Sequence, residues 1–503
     1  MDNPSLTGLD WIIIIGYGVS MLLVGFYFSR KNKSPDDYML GGRNMKFWKV
    51  GLSLFATMFS AVTYLSLPGE MIKHGPMIWS MLVSLPFIYV LVAYFFIPFI
   101  MKLKITSAYE LLETRLDIRN RLLAATYFII MRFIWMAVII YMVSEKVIVP
   151  IMGWPEGTAL GVSIIMGVIT VIYTSFGGLR SVVLTDIVQT FILFGGTILA
   201  IVLITSQVGG LSAIIPSEWP QHWAGWVFFD TRVRVSFFTA FIATFGWHVC
   251  TSGSDQMAIQ RYLATRDTRA ARKMYLSSII SNLLVFCLLA ILGLALYAYF
   301  TMHPQSLIPG LSVIDGADLL FPRFIVIGLP AGFSGLVLAG LLAASMSSLS
   351  SGINSSALAI INDFILRFRK NPISETNQVK LAKVISLGIG VMIVLLSLFI
   401  SNVKGNLLEL TYKTVNLLVA PLFVPFFMAM FVRWAKPTAV FMGTLASGIA
   451  ATLISYSQEI FAVNISFLWI IPLSFTVGVA ISIMLSLLPV YQNESKITRS
   501  NRD

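Results

Sequence analysis

The chain has 503 residues, of which 57% are hydrophobic and only 12% charged, about half the charged share of a soluble protein. Its formal charge of +12 admits a nucleic acid or an anionic surface as partner until the charges are located. Two cysteines, Cys250 and Cys287, allow at most one bridge and exclude a disulfide scaffold.

Apolar runs near 20 residues, the helix length that crosses about 30 Å of hydrocarbon, recur along the whole sequence. In order they cover 11–29, 48–67, 77–101, 122–143, 158–176, 184–205, 237–259, 277–299, 325–344 with helix continuing to 364, 384–399, 410–432, 440–456 and 468–488. These are about thirteen spans of an all-α integral membrane protein. Asp2 and no basic stretch precede the first run, which therefore reads as a span and not as a cleaved signal peptide. Of the 35 Lys and Arg, 27 follow odd-numbered spans, from Arg30 to Arg502. The positive-inside rule then puts the amino terminus outside and the carboxyl terminus in the cytoplasm, in a plasma (inner) membrane. This alternation requires an odd number of spans, and it assigns the basic excess to topology rather than to nucleic acid.

Four histidines and two cysteines offer no metal-ligand cluster, and there is no nucleophile motif and no nucleotide-binding glycine-rich loop. An enzyme is not expected. With no catalytic domain to supply energy, an ion gradient is the simplest source.

Backbone left unpaired at bilayer depth has to be buried in protein or line a cavity. Span two carries small and hydroxyl residues from Ser53 to Thr63, then Pro68 and Gly69; span seven is dense in Gly and Ser from Gly246 to Gln256. If these are the equivalent first helices of two repeats, spans two to six and seven to eleven form an inverted pair. Asp255 is placed to cap one half of span seven, and Trp247 and His248 either line a cavity or pack.

Span nine holds the densest hydroxyl cluster, with Ser345, Ser347, Ser348, Ser350 and Ser351 followed by Asn354, Ser355 and Ser356. Ser347, Ser348 and Ser351 share a helical stripe that can offer several neutral oxygens to one hard cation such as Na⁺. Close helix packing by small residues is the competing reading. Asp186, at the inner entry of span six, either completes a cation site or pairs with Arg180. Arg132 lies in mid-span, where a guanidinium is costly and a functional role is the default. It either receives a substrate carboxylate bidentately or pairs with a buried acid or the carbonyls of a broken helix. Lys413 and Glu409 are spaced for an intrahelical pair.

Read together, these segments resemble the sodium:solute symporter family from span one through span eleven. The pieces that carry the resemblance are Asp37 to Arg43, Ser60 to Glu70, Thr106 to Glu110, Tyr173 to Gly178 with Thr185, Asp186 and Gln189, Asp255 and Gln256 with Gln260 to Tyr262, and the serine cluster. The resemblance implies a leucine-transporter-type 5+5 inverted-repeat core with discontinuous helices, working by alternating access. It implies one polytopic transporter domain over 1–503, with 46–265 spanning the first repeat and the start of the second, 236–432 the second repeat, and 437–489 peripheral helices. It also implies a sodium site of Ala56, Phe59 and Ala344 carbonyls with Ser347 and Ser348 hydroxyls. Some relatives bind a second sodium, at residues matching Asp186, Ser347, Ser350 and Ser351 here. Na⁺, a small solute and the lipid bilayer are then the partners, with no nucleic acid and no obligate protein partner.

Sugar-carrying relatives place amide side chains where this sequence has Met58 and Thr63. Bacterial sialic-acid relatives are similar around Ser60 and Thr63, but the arginine they use on span four falls at Trp135 and their span-three glutamine at Leu82. Arg132, one turn earlier, is the candidate substitute. The span-two stretch is similar too to that of monocarboxylate, vitamin and iodide carriers. The expected solute pocket is Ser60, Thr63, Arg132, Trp135, Trp247 and His248, and the expected function is sodium-coupled uptake of an organic anion such as a carboxylate or sialic acid. A sugar or other neutral-solute symporter is the alternative. A membrane sensor that binds solute without coupled transport is the rival of another class.

Overall fold

The computed structural model describes residues 6–488 apart from 31–33, 104, 224, 231–232, 401–412, 414–415 and 464. Among the described residues, nine helices are long and apolar enough to cross a membrane, or ten if one bent pair counts as a span. Helix is the only economical choice for such a chain, because lipid offers no partner to a backbone N–H or C=O. Large apolar side chains such as Ile12, Phe87, Phe191 and Met484 are exposed on the outside of the bundle, as they are where the surrounding solvent is hydrocarbon.

In chain order, α1 is Gly8–Ser29 and is followed by α2, Phe47–Met58, and α3, Ala61–His74, which together form the bent pair. A composite helical run, Pro76–Met101, leads to α4, Ile118–Tyr141, and α5, Ala159–Val208. Then come α6, Phe237–Ser254, α7, Gln256–Leu263, α8, Thr268–Met302, and α9, Phe333–Ala359. The remaining long helices are α10, Glu375–Ser397, α11, Val419–Phe431, α12, Pro437–Ser455, and α13, Ile470–Leu487. Burial ranks them. The most apolar window of the α9 helix is 89% buried and that of α1 only 17%, so α9 is central and α1 peripheral.

α5 has 50 residues, about 75 Å if straight, more than twice the hydrocarbon thickness. It breaks at Gly178, whose φ of 61° and ψ of −164° suit only glycine. Tyr173 Oη donates to Met346 O at 3.0 Å and Asp186 accepts from Ser347 Oγ at 2.6 Å, so residues on the two sides of the break meet neighbouring residues of α9, although a straight helix would hold them about 20 Å apart. The chain therefore doubles back at Gly178, and both arms pack beside α9 and α1.

α9 starts later than the sequence suggests. Residues from 325 belong to a separate helix, Ala317–Ile327, and the chain turns through Pro330 and Gly332 before Phe333. Pro330 lacks an N–H to continue a ladder, and Gly332 has a φ of 87°.

On the face assigned to the cytoplasm by charge, Glu113 accepts from Arg121 at 2.7 Å and Arg367 at 2.5 Å, while Asp363 accepts from Arg121 and Ser107 at 2.8 and 2.6 Å. The Arg367 bond, aided by Arg121, holds the Glu113 carboxyl below the usual carboxylate range. On the other face, Lys73 bonds Asp318 at 2.7 Å and Arg234 pairs with Glu70. Glu409, the expected partner of Lys413, lies outside the described residues; Lys413 Nζ is 3.9 Å from Glu459.

A Cβ at Gly178 would meet the Tyr38 carbonyl oxygen at 2.6 Å. Gly178→Ala is expected to cost on the order of 1–3 kcal/mol, since it adds strain to that clash. Thermal unfolding in detergent should show a lowered midpoint, and an unchanged midpoint would contradict the fold-back.

Candidate functional site

Between α2 and α3 the chain bends by 67°. Phe59 (φ −89°, ψ 108°) and Ser60 (φ −81°, ψ 146°) are both extended. Phe59 N still reaches Phe55 O at 2.9 Å, and the ladder resumes with Tyr64 N to Ser60 O at 3.1 Å. The last carbonyls of α2 are left without helical partners. Ser60 makes the restart possible, because its Oγ accepts from Val62 N at 3.2 Å and caps α3.

The serine-rich stretch of α9 packs against this break. A cavity of about 10 Å³ separates them, lined by Ala56, Phe59, Ala344 and Ser347 with Gln189 and Thr190 of α5. That is room for about one water-sized sphere. Ser348, the next residue of α9, is wholly buried and its Oγ has no hydrogen-bond partner; the Gln189 Oε1 is likewise buried and unpartnered. Leaving such an atom bare costs about 1–3 kcal/mol. A small hard cation prefers oxygen ligands, so an alkali ion fits both the volume and the bare oxygens. Four of the five residues of the first expected sodium set line this cavity, and the fifth, Ser348, is the one with the free hydroxyl.

The second expected set is arranged differently. Asp186 is fully buried, accepts from Ser347 Oγ at 2.6 Å and Ser53 Oγ at 2.5 Å, and lies 3.7 Å from the Arg261 guanidinium. Arg261 also donates to Ser351 Oγ at 2.6 Å and Thr57 Oγ1 at 2.8 Å. Ser350 turns back on its own helix, with its Oγ on Ser347 O at 3.0 Å. The positive charge beside Asp186 is thus an arginine of the chain itself. Two charge assignments from sequence are corrected here. Asp186 is not a boundary residue held by Arg180, which instead pairs with Asp37 at 2.8 Å. Arg261, counted among cytoplasmic loop charges, is fully buried, because the break of span seven carries its second half under the core.

A larger cavity of about 170 Å³ lies beyond the break, and Ser60, Thr63, Arg132, Trp135, Trp247 and His248 all line it. Arg132 pairs with Asp255, the residue at the junction of α6 and α7, and its guanidinium stacks 4.6 Å from the Trp135 ring. Asp255 meanwhile accepts from Met257 N at 2.8 Å and caps α7. The pair spans 123 residues of sequence, so it joins the span-seven break to the cavity wall. Arg132 Nε is buried and has no partner. The guanidinium therefore keeps a donor in reserve while its charge is compensated.

Sequence reasoning passed over Gln189 as a wall residue, Arg261 as a core cation, and the α8 face that brings Tyr275, Ser278 and Asn282 into the larger cavity. Asn282 was readable as the single amide in a run of Leu, Val and Ile. Among the described residues, no group of three or more His, Cys, Asp or Glu is placed to hold a metal.

Residues 38–450 match the sodium:solute symporter family, and the chain belongs to it. A sodium/sialic acid symporter of Proteus mirabilis is 30% identical over 471 residues, covering 90% of each chain. The sodium-dependent multivitamin transporter of Oryctolagus cuniculus is 29% identical over 88% of this chain and 69% of its own. A solved Na⁺-coupled sialic acid symporter, in a substrate-bound outward-open state, superposes with a TM-score of 0.84 at 28% identity, covering 95% of this chain and 98% of that one. The protein is a multi-pass membrane transporter that uses sodium to drive symport of a small solute, and not an enzyme.

Ser348→Ala removes a buried hydroxyl that makes no hydrogen bond. The sodium concentration giving half-maximal uptake is expected to rise several-fold, with the unfolding midpoint unchanged. An unaltered sodium requirement would exclude Ser348 as a ligand.

Proposed function

We propose that this chain imports an organic anion together with one sodium ion, across a plasma (inner) membrane, by alternating access. The observation that carries this reading is the one-ion cavity between the α2–α3 break and α9, lined by Ala56, Phe59, Ala344 and Ser347, with a buried and unpartnered hydroxyl on Ser348, the next residue of α9. Sodium bound there pins the first broken helix to the central helix. It favours the state in which Ser60 and Thr63, just past the break, complete the solute pocket. Coupling is the difference in sodium affinity between the two states.

Several features support the finer picture. Two helices interrupted at Phe59–Ser60 and at Asp255 suit a 5+5 inverted-repeat core, with 46–265 spanning the first repeat and the start of the second, and 236–432 the second. Residues 437–489 are then peripheral. We take thirteen crossings with the amino terminus outside, which the concentration of Lys and Arg after odd-numbered spans supports. The second sodium set is filled by Arg261, which neutralises Asp186, so the proposed stoichiometry is one ion. Arg132, with a free Nε donor, receives the anion beside Ser60 and Thr63. Two bacterial relatives, of Proteus mirabilis and Aliivibrio fischeri, are sodium/sialic acid symporters by name, which fits an anionic solute.

Purified protein in proteoliposomes should accumulate an organic acid only under an inward sodium gradient. One sodium with one negative charge moves no net charge, so an imposed inside-negative potassium diffusion potential should leave initial rates unchanged and the sodium Hill coefficient should be near one. A potential-stimulated rate with a coefficient near two would restore the second ion. Binding without accumulation would favour the sensor. Arg132→Lys keeps a charge for Asp255 but loses the planar fork; uptake should fall at least tenfold with stability largely kept, and unchanged affinity would remove Arg132 from the pocket.

A further inference from the structure

The larger cavity carries information about its solute that the sodium site does not. Its volume, about 170 Å³, is small. Ligand pockets commonly run from about 300 Å³ upward, while an apolar cavity of about 150 Å³ takes a benzene ring. A solute of roughly ten non-hydrogen atoms fits this space.

The walls are mostly soft and apolar. Met58, Met81, Met131, Trp135, Phe286 and Phe467 contribute side chains from different parts of the chain, and methionine and aromatic surfaces suit a compact apolar or aromatic body. Several polar groups on the wall are already engaged. Thr251 Oγ1 donates to Trp247 O at 2.8 Å, Ser252 and Tyr275 share a hydroxyl bond of 2.9 Å, and Asn416 Oδ1 accepts from Trp247 Nε1 at 3.1 Å. Thr63, Thr244, Ser278 and His248 also line the cavity, so a few polar groups of a solute can be met there. A solute polar on every face would still press hydroxyls against the methionine and aromatic walls, each unmet group being costly.

Two wall residues carry a buried polar atom with no partner: Arg132 through Nε on α4 and Asn282 through Oδ1 on α8. One is a donor and the other an acceptor. We infer that Asn282 is a specificity residue for a compact carboxylate with an apolar body, accepting a hydrogen bond from a single hydroxyl or N–H on that body, and that polyhydroxylated sugar acids are poor solutes. The inference rests on the anion reading above. It adds where selectivity comes from. The Asn282 oxygen rewards one donor on an apolar frame, and the methionine and aromatic walls reject the rest.

The test is sodium-driven uptake of radiolabelled 4-hydroxybenzoate, benzoate and N-acetylneuraminate into proteoliposomes, by the wild type and by Asn282→Leu. In the wild type, 4-hydroxybenzoate should be taken up with about five- to tenfold higher kcat/KM than benzoate, the value of one neutral hydrogen bond, and N-acetylneuraminate least well. In Asn282→Leu that preference should vanish while benzoate uptake and its sodium dependence persist, an outcome that a merely structural role for Asn282 would not give. Preferred uptake of N-acetylneuraminate would overturn the inference and leave sodium-coupled anion transport standing. Uptake of a neutral sugar with no acid accepted would overturn both. A variant that loses both benzoates equally would show that Asn282 supports the fold and does not select.

Discussion

The structure turns on a helix that stops in mid-membrane. At Phe59 and Ser60 the ladder of α2 and α3 is cut, and in lipid a cut ladder is tolerated only where protein surrounds it. α9 supplies that surrounding. Its buried serines sit against the break, and its most apolar window is 89% buried. The freed carbonyls and the hydroxyls together form a pocket about the size of one ion. No formal charge lines it. Neutral ligands hold an alkali ion weakly enough to let it go again, as a transport cycle requires.

The charges near this core are arranged so that none is left bare. Asp186 and Arg261 are both fully buried and lie 3.7 Å apart, with Ser53, Ser347, Ser351 and Thr57 hydrogen-bonded around them. Arg132 and Asp255 make the other pair. Removing one member of a buried pair strands the other at several kcal/mol, so both pairs hold the geometry of the breaks. The first binds span seven's second half to α2 and α9; the second binds its break to α4. Through α7 the two pairs link α2 and α9, which flank the small cavity, to the wall of the larger one.

Much of this was legible in the sequence, and the reasons differ by residue. Run length located the nine or ten membrane-length helices that the described residues show, of about thirteen expected, because hydrocarbon thickness sets a length that chance does not repeat. Small and hydroxyl residues from Ser53 to Thr63 marked the first break, and Asp255 marked the second as a cap. Other features could not be read locally. The pairing of Arg132 with Asp255 joins residues 123 apart, and nothing in either neighbourhood names the other. Arg261 looked like a loop charge because a broken span ends early, and charge counting assumes helices that run through. Asn282 was hidden by its setting, since one amide in an apolar run counts for little until the face it shares with Tyr275 and Ser278 is seen to line a cavity.

Coupling as proposed requires an alkali ion between the break and α9. Structures determined in sodium and, separately, in potassium or choline address it directly. Difference density should appear within ligand distance of the Ala56, Phe59 and Ala344 carbonyls and the Ser347 and Ser348 hydroxyls, in sodium alone. Sodium density at another place, with this pocket unchanged between the two conditions, would contradict the account.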